Sequence, residues 1–285
     1  MLVYVPSNFD KSSSSIEVVV YIHGYYNCIR NIVRRPEDQC NCSAGGQIRE
    51  GYDLIGQFER ACKGRGSLCS SLFVAAEVAY DQANDSPGKW ANEGMLKAFL
   101  DELLIEHMSA ILNSSTNAVY DTSKVSRIRI FSHSGGYYTI GDMAIIGGMT
   151  AVVKDLVLFD SLYANFDKFD GFVQSHIYSF GYLYSQFRFS SLYTQSGGTY
   201  SNNQNMAARV KSMISMATAA GVVDPDPTDG GIALLLLDNS SSTSANSNST
   251  VYTQIQNYTA IFKLATCSHD DVPRNYFYAF LMYAE

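Results

Sequence analysis

Ser134 lies where an apolar segment of this sequence changes abruptly into small residues. The run Arg127-Ile-Arg-Ile-Phe-Ser-His-Ser-Gly-Gly136 is followed by a helix-compatible stretch, so the pattern predicts a strand, a sharp turn and a helix, with the serine at the apex. In the usual G-x-S-x-G form of such a nucleophile elbow, the glycine positions are pressed together and tolerate almost no side chain. Gly136 fills the second position, and Ser132, which is small enough, replaces the first glycine. The pattern predicts that Ser134 is a nucleophile in a sparsely populated backbone conformation.

A serine hydroxyl needs a base, and His269 is the histidine best placed to act as one. An imidazole titrates near neutral pH and takes the hydroxyl proton, while a buried carboxylate fixes its tautomer. The chain has five histidines, and His269 follows the last predicted strand, Ala260 to Ala265. Asp160 follows the predicted strand Lys154 to Phe159. Ser134, Asp160 and His269 are therefore the candidate catalytic triad.

Apolar runs alternate with helical patterns along the chain. Near-continuous apolar segments such as Ile16 to Ile22 and Ser71 to Ala76 are typical of strands buried on both faces. Between them, apolar spacing predicts helices, among which Met95 to Leu112 is strongly amphipathic. This alternation predicts a single α/β domain over residues 1–285, with a mostly parallel central sheet and helices on both faces. Ligands bind outside the carboxyl ends of such strands, where His23-Gly24, Ser134, Asp160 and His269 fall.

On these residues, the chain resembles α/β-hydrolase-fold proteins of the esterase and lipase kind. The resemblance covers most of the chain and is carried by the His23-Gly24 pair after an early strand, the elbow around Ser134, and His269 in a loop after the last strand. It implies a Ser-His-Asp triad that works through an acyl-enzyme. The opening residues Leu2 to Asp10 are similar to the start of extracellular feruloyl-esterase and polyester-depolymerase-like domains. The resemblance thus implies hydrolysis of small-molecule or polymeric carboxylic esters, with no metal or organic cofactor.

The resemblance also implies an unusual position for the acid. The family most often carries it after the strand two beyond the elbow strand, which here is Phe187 to Tyr193. The loop that follows, Thr194 to Asn203, contains no Asp or Glu. Some members carry the acid after the strand directly following the elbow helix, which is where Asp160 lies. Asp160 is therefore the expected acid, and Asp238 and the aspartates between 224 and 229 are the alternatives.

The remaining candidate residues surround the expected triad. The backbone N–H groups of Gly135 and Tyr25 are the expected oxyanion hole, because they follow the nucleophile and the His23-Gly24 pair. The stretch 161–186 is dense in aromatic residues and is interpreted as a lid or wall for an apolar acyl or aryl group. Core packing explains any one of these aromatic residues equally well. The candidate substrate-binding residues are Tyr26, His133, Tyr163 and Phe166.

The composition excludes several classes of partner. Hydrophobic residues make up 46% of the chain and charged residues 16%, which is typical of a globular protein. The net charge of −7, with no basic block, argues against a nucleic-acid or anionic-membrane partner. No apolar run reaches the roughly 20 residues of a transmembrane helix. No pattern in the sequence predicts an oligomeric state.

Cysteines and glycosylation motifs favour an extracellular protein. Five of the six cysteines lie in the first seventy residues at spacings that do not fit a zinc site, so three disulfides are expected, with Cys62–Cys69 as the first candidate pair. The segment 28–49 is expected to be a cysteine-rich loop, and 239–250 a low-complexity loop. Asn-x-Ser/Thr motifs suit a secreted glycoprotein. We therefore expect a secreted protein whose leader peptide is absent from this sequence.

A catalytically silent α/β-hydrolase-fold protein used for binding or adhesion is the alternative from another functional class. All three triad candidates are present, which favours an enzyme. Among enzymes, a lipase and a serine peptidase remain alternatives, because a catalytic triad does not determine which leaving group is released.

Overall fold

The computed structural model describes residues 1–38, 40–41, 48–65, 70–78, 86–112, 120–179, 187–221, 234–237 and 260–282. Its strands are β1 (Leu2–Tyr4), β2 (Ile16–Ile22), β3 (Cys40–Asn41), β4 (Ile48–Arg49), β5 (Ser71–Ala76), β6 (Val125–His133), β7 (Val153–Phe159), β8 (Arg188–Tyr193), β9 (Leu234–Leu237) and β10 (Ala260–Leu264). Its helices are α1 (Ile29–Val33), α2 (Leu54–Gly64), α3 (Met95–Glu102), α4 (Ser109–Leu112), α5 (Tyr137–Ile145), α6 (Phe166–Gln174), α7 (Tyr200–Ala219) and α8 (Asp271–Met282). Two π-helical segments, Leu103–Met108 and Ser175–Ser179, continue α3 and α6.

Eight of the strands form one sheet in the order β1-β5-β2-β6-β7-β8-β10-β9. Neighbours from β5 to β9 in this order pair in parallel, and β1 runs antiparallel to β5. The short strands β3 and β4 form a separate pair. The α/β class and the mostly parallel sheet predicted from the sequence are confirmed.

Side chains that alternate along the central strands divide between two hydrophobic clusters. On β2, Val18 and Val20 join residues of α3, α5, α6 and α7, whereas Val19 and Tyr21 join residues of α2 and α8. All four side chains are at most 1% exposed. Strands covered on both faces have apolar side chains pointing in both directions, which explains their near-continuous apolar sequences. The prediction of helices on both faces is therefore confirmed.

The strand order reverses beside β2, and this reversal positions the candidate site. The chain places β5 on one side of β2 and β6 on the other, so the carboxyl ends of β2 and β6 open onto a crevice. Ile22, the last residue of β2, pairs with Ser132 of β6. Gly24 and Ser134 each lie two residues beyond this pair, so the loops that carry them leave the sheet side by side.

Two segments differ from their predicted form. Residues 28–49, expected to be a loop, contain helix α1 and the β3–β4 pair. The expected aromatic lid at 161–186 contains α6, whose Phe169 and Phe172 are fully buried, because aromatic residues spaced by three lie on the helix face that packs on the sheet. The segment 239–250, Asp238 and the aspartates between 224 and 229 lie outside the described residues.

Two of the cysteines are thiols, namely Cys62, buried in α2, and Cys267, half-buried after β10. The expected Cys62–Cys69 pair is therefore wrong, and so is the expectation that all six cysteines form disulfides. Cys28 is disulfide-bonded. Secretion and glycosylation stay predictions.

The longest of the described helices, α7, spans 20 residues and buries one side, which includes Met206 and Val210. Among the helices of the described ranges, none is both long and apolar enough to cross a membrane.

Candidate active site

Ser134 directly follows β6 and has a φ of 51°, in the left-handed region that residues other than glycine seldom occupy. Its side chain is half-buried, whereas the neighbouring Ser132, His133 and Gly135 are buried. Helix α5 begins three residues later, at Tyr137. The sharp turn from strand to helix therefore leaves the hydroxyl accessible at the carboxyl edge of the sheet. The backbone strain predicted at Ser134 is confirmed.

Two glycines allow backbone segments to approach the turn around Ser134. A β-carbon on Gly24 would overlap the β-carbon of Ser134 and lie 2.9 Å from the His133 carbonyl oxygen. A β-carbon on Gly136 would lie 3.0 Å from the Ile22 carbonyl oxygen. The loop after β2 is thus packed directly against the candidate nucleophile, at a distance that only glycine permits.

Ser132, which replaces the usual first glycine of the motif, has a role of its own. Its hydroxyl lies 2.9 Å from the hydroxyl of Ser161, and the Ser161 hydroxyl donates to the Ser134 carbonyl at 2.6 Å. Because Ser161 uses its hydrogen on that carbonyl, Ser132 is the donor to Ser161. The pair connects the turn to the residue after Asp160 and fixes the backbone of Ser134.

His269 and Asp160 form a hydrogen-bonded pair. Nδ1 of His269 lies 2.8 Å from Oδ2 of Asp160. A carboxylate can only accept, so Nδ1 carries the hydrogen, and Nε2 of the neutral ring keeps the lone pair that a base needs. The His269 side chain is 28% exposed and that of Asp160 is 0% exposed. The structure thus brings the predicted base and the predicted acid into contact.

The buried carboxylate of Asp160 accepts further hydrogen bonds. The hydroxyls of Thr194 and Thr199 donate to it, and the Thr194 N–H donates at 3.2 Å. A β-carbon on Gly197 would overlap Oδ2, so this glycine closes over the carboxylate. Burial opposes ionisation, but the hydrogen bonds from His269, Thr194 and Thr199 outweigh it and hold the pKa of Asp160 below its usual range. The loop after β8, which lacks an acid of its own, therefore keeps Asp160 ionised.

Tyr163 lies beside the nucleophile and the acid. Its hydroxyl donates to the Gly197 carbonyl at 2.6 Å. Burial and the charge of Asp160 raise the pKa of Tyr163 to about 12. A hydrogen bond with the Ser134 side chain lowers this pKa but does not outweigh them. The phenol therefore stays protonated at neutral pH. Of the predicted aromatic residues, Tyr163 is one that the structure places at Ser134.

His23 and Glu77 hold the loop that follows β2. Nδ1 of His23 donates to the Gly24 carbonyl at 2.8 Å, and Nε2, which accepts from the Val78 N–H at 3.3 Å, lies 3.2 Å from the Glu77 carboxylate. The other carboxylate oxygen accepts the Ile29 N–H at 2.9 Å. Burial acts against ionisation of Glu77, but its contact with His23 and the hydrogen bond from the Ile29 N–H lower its pKa below the usual value. These contacts fix the backbone around Gly24.

A cleft of about 610 Å³ opens next to this loop. Three tyrosines line it: Tyr25, which follows Gly24, and Tyr137 and Tyr138 at the start of α5. The ring of Tyr137 lies 5.9 Å from that of Tyr163, so an aromatic surface continues from the cleft to Ser134. Ser134 itself does not line the cleft, which is connected to it through the rings of Tyr137 and Tyr163.

An ion pair forms part of the same cleft. Lys168 and Asp142 both line it, and Nζ of Lys168 lies 2.6 Å from the Asp142 carboxylate. The ammonium group also lies 5.2 Å from the centre of the Tyr138 ring. Since the two charges cancel, the wall of the cleft suits an uncharged ligand better than an ion.

Three other predicted substrate-binding residues differ in position. Phe166 is partly buried against the core, the Arg209 guanidinium lies 5.8 Å from its ring centre, and it does not line the cleft, so its role in substrate binding stays a prediction. His133 is only 1% exposed, because its ring packs against that of His269 at 4.5 Å. Tyr26 is 37% exposed and has a φ of 50°, in the turn after Tyr25.

One group of residues in the described part of the chain has the ligand types of a metal site. Candidate ligand atoms of His133, His269 and Asp270 lie within 4.8 Å of one another. However, Nδ1 of His269 is bonded to Asp160, and Nε2 of His133 lies 3.1 Å from the His269 carbonyl oxygen. These hydrogen bonds explain the cluster as the packing around the base.

No protein-family model matches the chain, and no similar curated protein was found. The α/β fold and the geometry at the carboxyl ends of its strands are therefore the basis for inferring a function.

Proposed function

We propose that this chain is a serine hydrolase of the α/β-hydrolase fold, and that it cleaves carboxylic esters through Ser134, His269 and Asp160. One observation carries the proposal, namely the 2.8 Å hydrogen bond between His269 and Asp160 beside a serine held at a φ of 51°. Strained backbone is expected where a catalytic group must be presented in a fixed direction. The proposed reaction requires neither a metal nor an organic cofactor.

In the first half of the reaction, Oγ of Ser134 attacks the ester carbonyl carbon. The hydroxyl proton passes to Nε2 of His269, and the ionised Asp160 stabilises the resulting imidazolium. The bond between the carbonyl carbon and the alcohol oxygen then breaks, and the alcohol leaves with the proton from His269. In the second half, water repeats these steps on the acyl-enzyme and releases the acid.

The proposed oxyanion hole consists of the backbone N–H groups of Tyr25 and Gly135. The close approach of Gly24 to Ser134 supports it, because Tyr25 is the next residue in that loop. Gly135 follows the nucleophile at the start of the turn into α5. Fixed donors of this kind stabilise the charge that develops on the carbonyl oxygen.

The acyl part of the ester is assigned to the tyrosine-lined cleft. The leaving oxygen must face His269, which follows β10 on one side of β6 in the sheet. Tyr25 follows β2 on the other side of β6, and Tyr138 lies on α5 after the turn. This arrangement directs the acyl group away from the base. A neutral wall rich in aromatic rings suits an uncharged apolar or aryl acyl group, free or attached to a polymer.

A fluorophosphonate probe tests the proposed nucleophile. We expect the folded protein to be labelled on the peptide that contains Ser134 and to release p-nitrophenol from p-nitrophenyl esters in a burst. Ser134→Ala should abolish both signals, and Ser126→Ala, which removes an exposed hydroxyl, should retain them. The absence of labelling in the folded wild type would contradict the proposal and favour the catalytically silent binding protein.

The class of ester is a separate question that the same assay answers. Esters of graded acyl length and one aryl ester, all with the same leaving group, should separate an esterase from a lipase. A peptide p-nitroanilide tests for peptidase activity. A preference for the amide over every ester would contradict the proposed substrate class.

A further inference from the structure

His133, the buried neighbour of the nucleophile, has a hydrogen-bond partner at each ring nitrogen. Nε2 lies 3.1 Å from the carbonyl oxygen of His269, and Nδ1 lies 3.4 Å from the hydroxyl of Tyr52. A carbonyl can only accept, so Nε2 carries the hydrogen. In the neutral ring Nδ1 then has a lone pair and accepts from the Tyr52 hydroxyl.

Asn27 fixes the direction of the Tyr52 hydroxyl. Oδ1 of Asn27 accepts from the Cys28 N–H and from Nδ2 of Asn31, both at 2.9 Å, which settles the orientation of the amide. Its Nδ2 therefore donates to the Tyr52 hydroxyl oxygen, at 3.1 Å. The hydrogen of that hydroxyl is left to point at His133. Each group thus donates a hydrogen bond to the next one. The series runs from Asn27 through Tyr52 and His133 to the His269 carbonyl.

Packing holds these groups in place. Asn27, Tyr52 and His133 are each at most 1% exposed. The Tyr52 ring meets the His133 ring edge-on, with 5.7 Å between centres, and the His133 and His269 rings lie 4.5 Å apart at an angle of 36°. His269 is consequently held at two points, its ring by Asp160 and its main chain by His133.

We propose that His133 is a positioning residue for the base His269, and that Tyr52 sets the tautomer in which His133 does this. The inference rests on the proposed function. His133 acts through its contacts with the carbonyl and the ring of His269 and takes no part in the proton transfer. Asn27 donates its N–H to the Gly24 carbonyl at 3.3 Å, so the same chain of hydrogen bonds joins the proposed oxyanion loop to the loop of the base.

Removal of the Tyr52 hydroxyl tests whether Tyr52 sets the tautomer of His133. In Tyr52→Phe the ring and its packing are kept, but Nδ1 of His133 loses its donor, and kcat should fall about five- to tenfold with KM unchanged. Tyr21→Phe is the matched control, because Tyr21 is fully buried and its hydroxyl has no hydrogen-bond partner in the described part of the chain. Equal kcat values for the two variants would overturn the role of Tyr52.

Substitutions of His133 test the contact with the base. His133→Leu has no donor, and the looser base should lower kcat about 100-fold, as expected for a catalytic group displaced by about 1 Å. His133→Gln places an amide N–H where Nε2 now lies and should recover most of this loss. A purely structural role would make both variants equally impaired. Thermal unfolding of each variant separates loss of positioning from loss of fold.

A spectroscopic signal tests the positioning without any substrate. The proton on Nδ1 of His269 is bonded to a buried carboxylate and should give a downfield NMR resonance protected from exchange. We expect this resonance to broaden or vanish in His133→Leu and to persist in His133→Gln. If the wild type cleaves no ester, the proposed function fails while the resonance still tests His133. An unchanged resonance in His133→Leu would overturn the inference.

Discussion

Ser134 and Asp160 occupy equivalent positions on neighbouring strands. His133 of β6 and Phe159 of β7 are the last paired residues of their strands, and the next residue on each has a positive φ, 51° for Ser134 and 46° for Asp160. The Asp160 N–H reaches across to the Leu192 carbonyl of β8, at 2.6 Å. The proposed nucleophile and its acid thus leave the sheet together, in the same rarely occupied backbone conformation.

Removal of the Asp160 charge should almost abolish hydrolysis. In Asp160→Asn the amide no longer stabilises the imidazolium and favours the wrong tautomer of His269, so kcat should fall by about four orders of magnitude. Steady-state kinetics on one p-nitrophenyl ester measures this. Asp121→Asn, at a partly exposed aspartate that caps the turn before β6, should stay near wild type. A loss of less than about tenfold in Asp160→Asn would exclude Asp160 as the acid.

A methyl group at Gly24 should damage the site and the fold. Its carbon would overlap Ser134, so Gly24→Ala should lower the free energy of unfolding by about 1–3 kcal/mol and kcat/KM by about 100-fold. Gly171→Ala is the control, because its β-carbon would meet only Ile145, at 3.7 Å, and the exchange in helix α6 should add about 0.5–1 kcal/mol of stability. Denaturant unfolding and ester kinetics give both quantities. Wild-type kcat/KM in Gly24→Ala would contradict the close packing.

The Tyr138 ring should matter for large acyl groups and not for small ones. Tyr138→Ala removes one wall of the cleft, and kcat/KM for an aryl acyl ester should fall about tenfold, while an acetyl ester is unaffected. Tyr178→Ala removes an equally exposed tyrosine that does not line the cleft. The ratio of kcat/KM for the two esters measures the effect. If both esters respond alike to Tyr138→Ala, the acyl group does not occupy this cleft.

His176 should make the protein sensitive to mild acid. Burial lowers its pKa from the usual 6.5, so below pH 6.5 the unfolded chain binds a proton at this position that the folded chain does not. The free energy of unfolding should therefore fall as the pH drops, by up to about 1.4 kcal/mol per pH unit from this group.

Substitution of His176 by Phe provides the test. The side chain packs between the Phe172 and Phe187 rings, and its ring nitrogens lie 2.9 Å and 3.0 Å from the Phe172 and Val153 carbonyl oxygens. His176→Phe therefore keeps an aromatic ring there while it removes both the titration and these contacts. Denaturant unfolding between pH 5 and pH 7 compares the two slopes. His107→Gln, a substitution at an exposed histidine, is the matched control. Equal slopes in wild type and His176→Phe would contradict the lowered pKa.

Much of the fold follows from local patterns that the sequence displays directly. Buried parallel strands such as β2 and β5 are short apolar runs, and the elbow combines a strand, small residues and a helix, so both were predictable. The position of Asp160 was predictable too, because the strand before it is also a short apolar run.

Contacts between distant segments could not be predicted. Thr194 and Thr199 are ordinary polar loop residues in the sequence, and only the folding of their loop over Asp160 reveals them as its donors. The hydrogen bonds among Asn27, Tyr52 and His133 join two loops and the end of β6, and no spacing in the sequence encodes them. The end of a strand that carries no acid, base or nucleophile therefore still contributes hydrogen bonds to the site.

The position of Thr194, directly after β8, bears on which residues of such a site can be exchanged during evolution. The hydroxyl of Thr194 touches the carboxylate of Asp160, so side chains from the ends of β7 and β8 converge on one point beside His269. We expect a carboxylate at position 194 to lie within reach of the same imidazole. The reciprocal substitutions Asp160→Thr and Thr194→Asp are therefore expected to move the proposed acid from β7 to β8, while Ser134 and His269 keep their places.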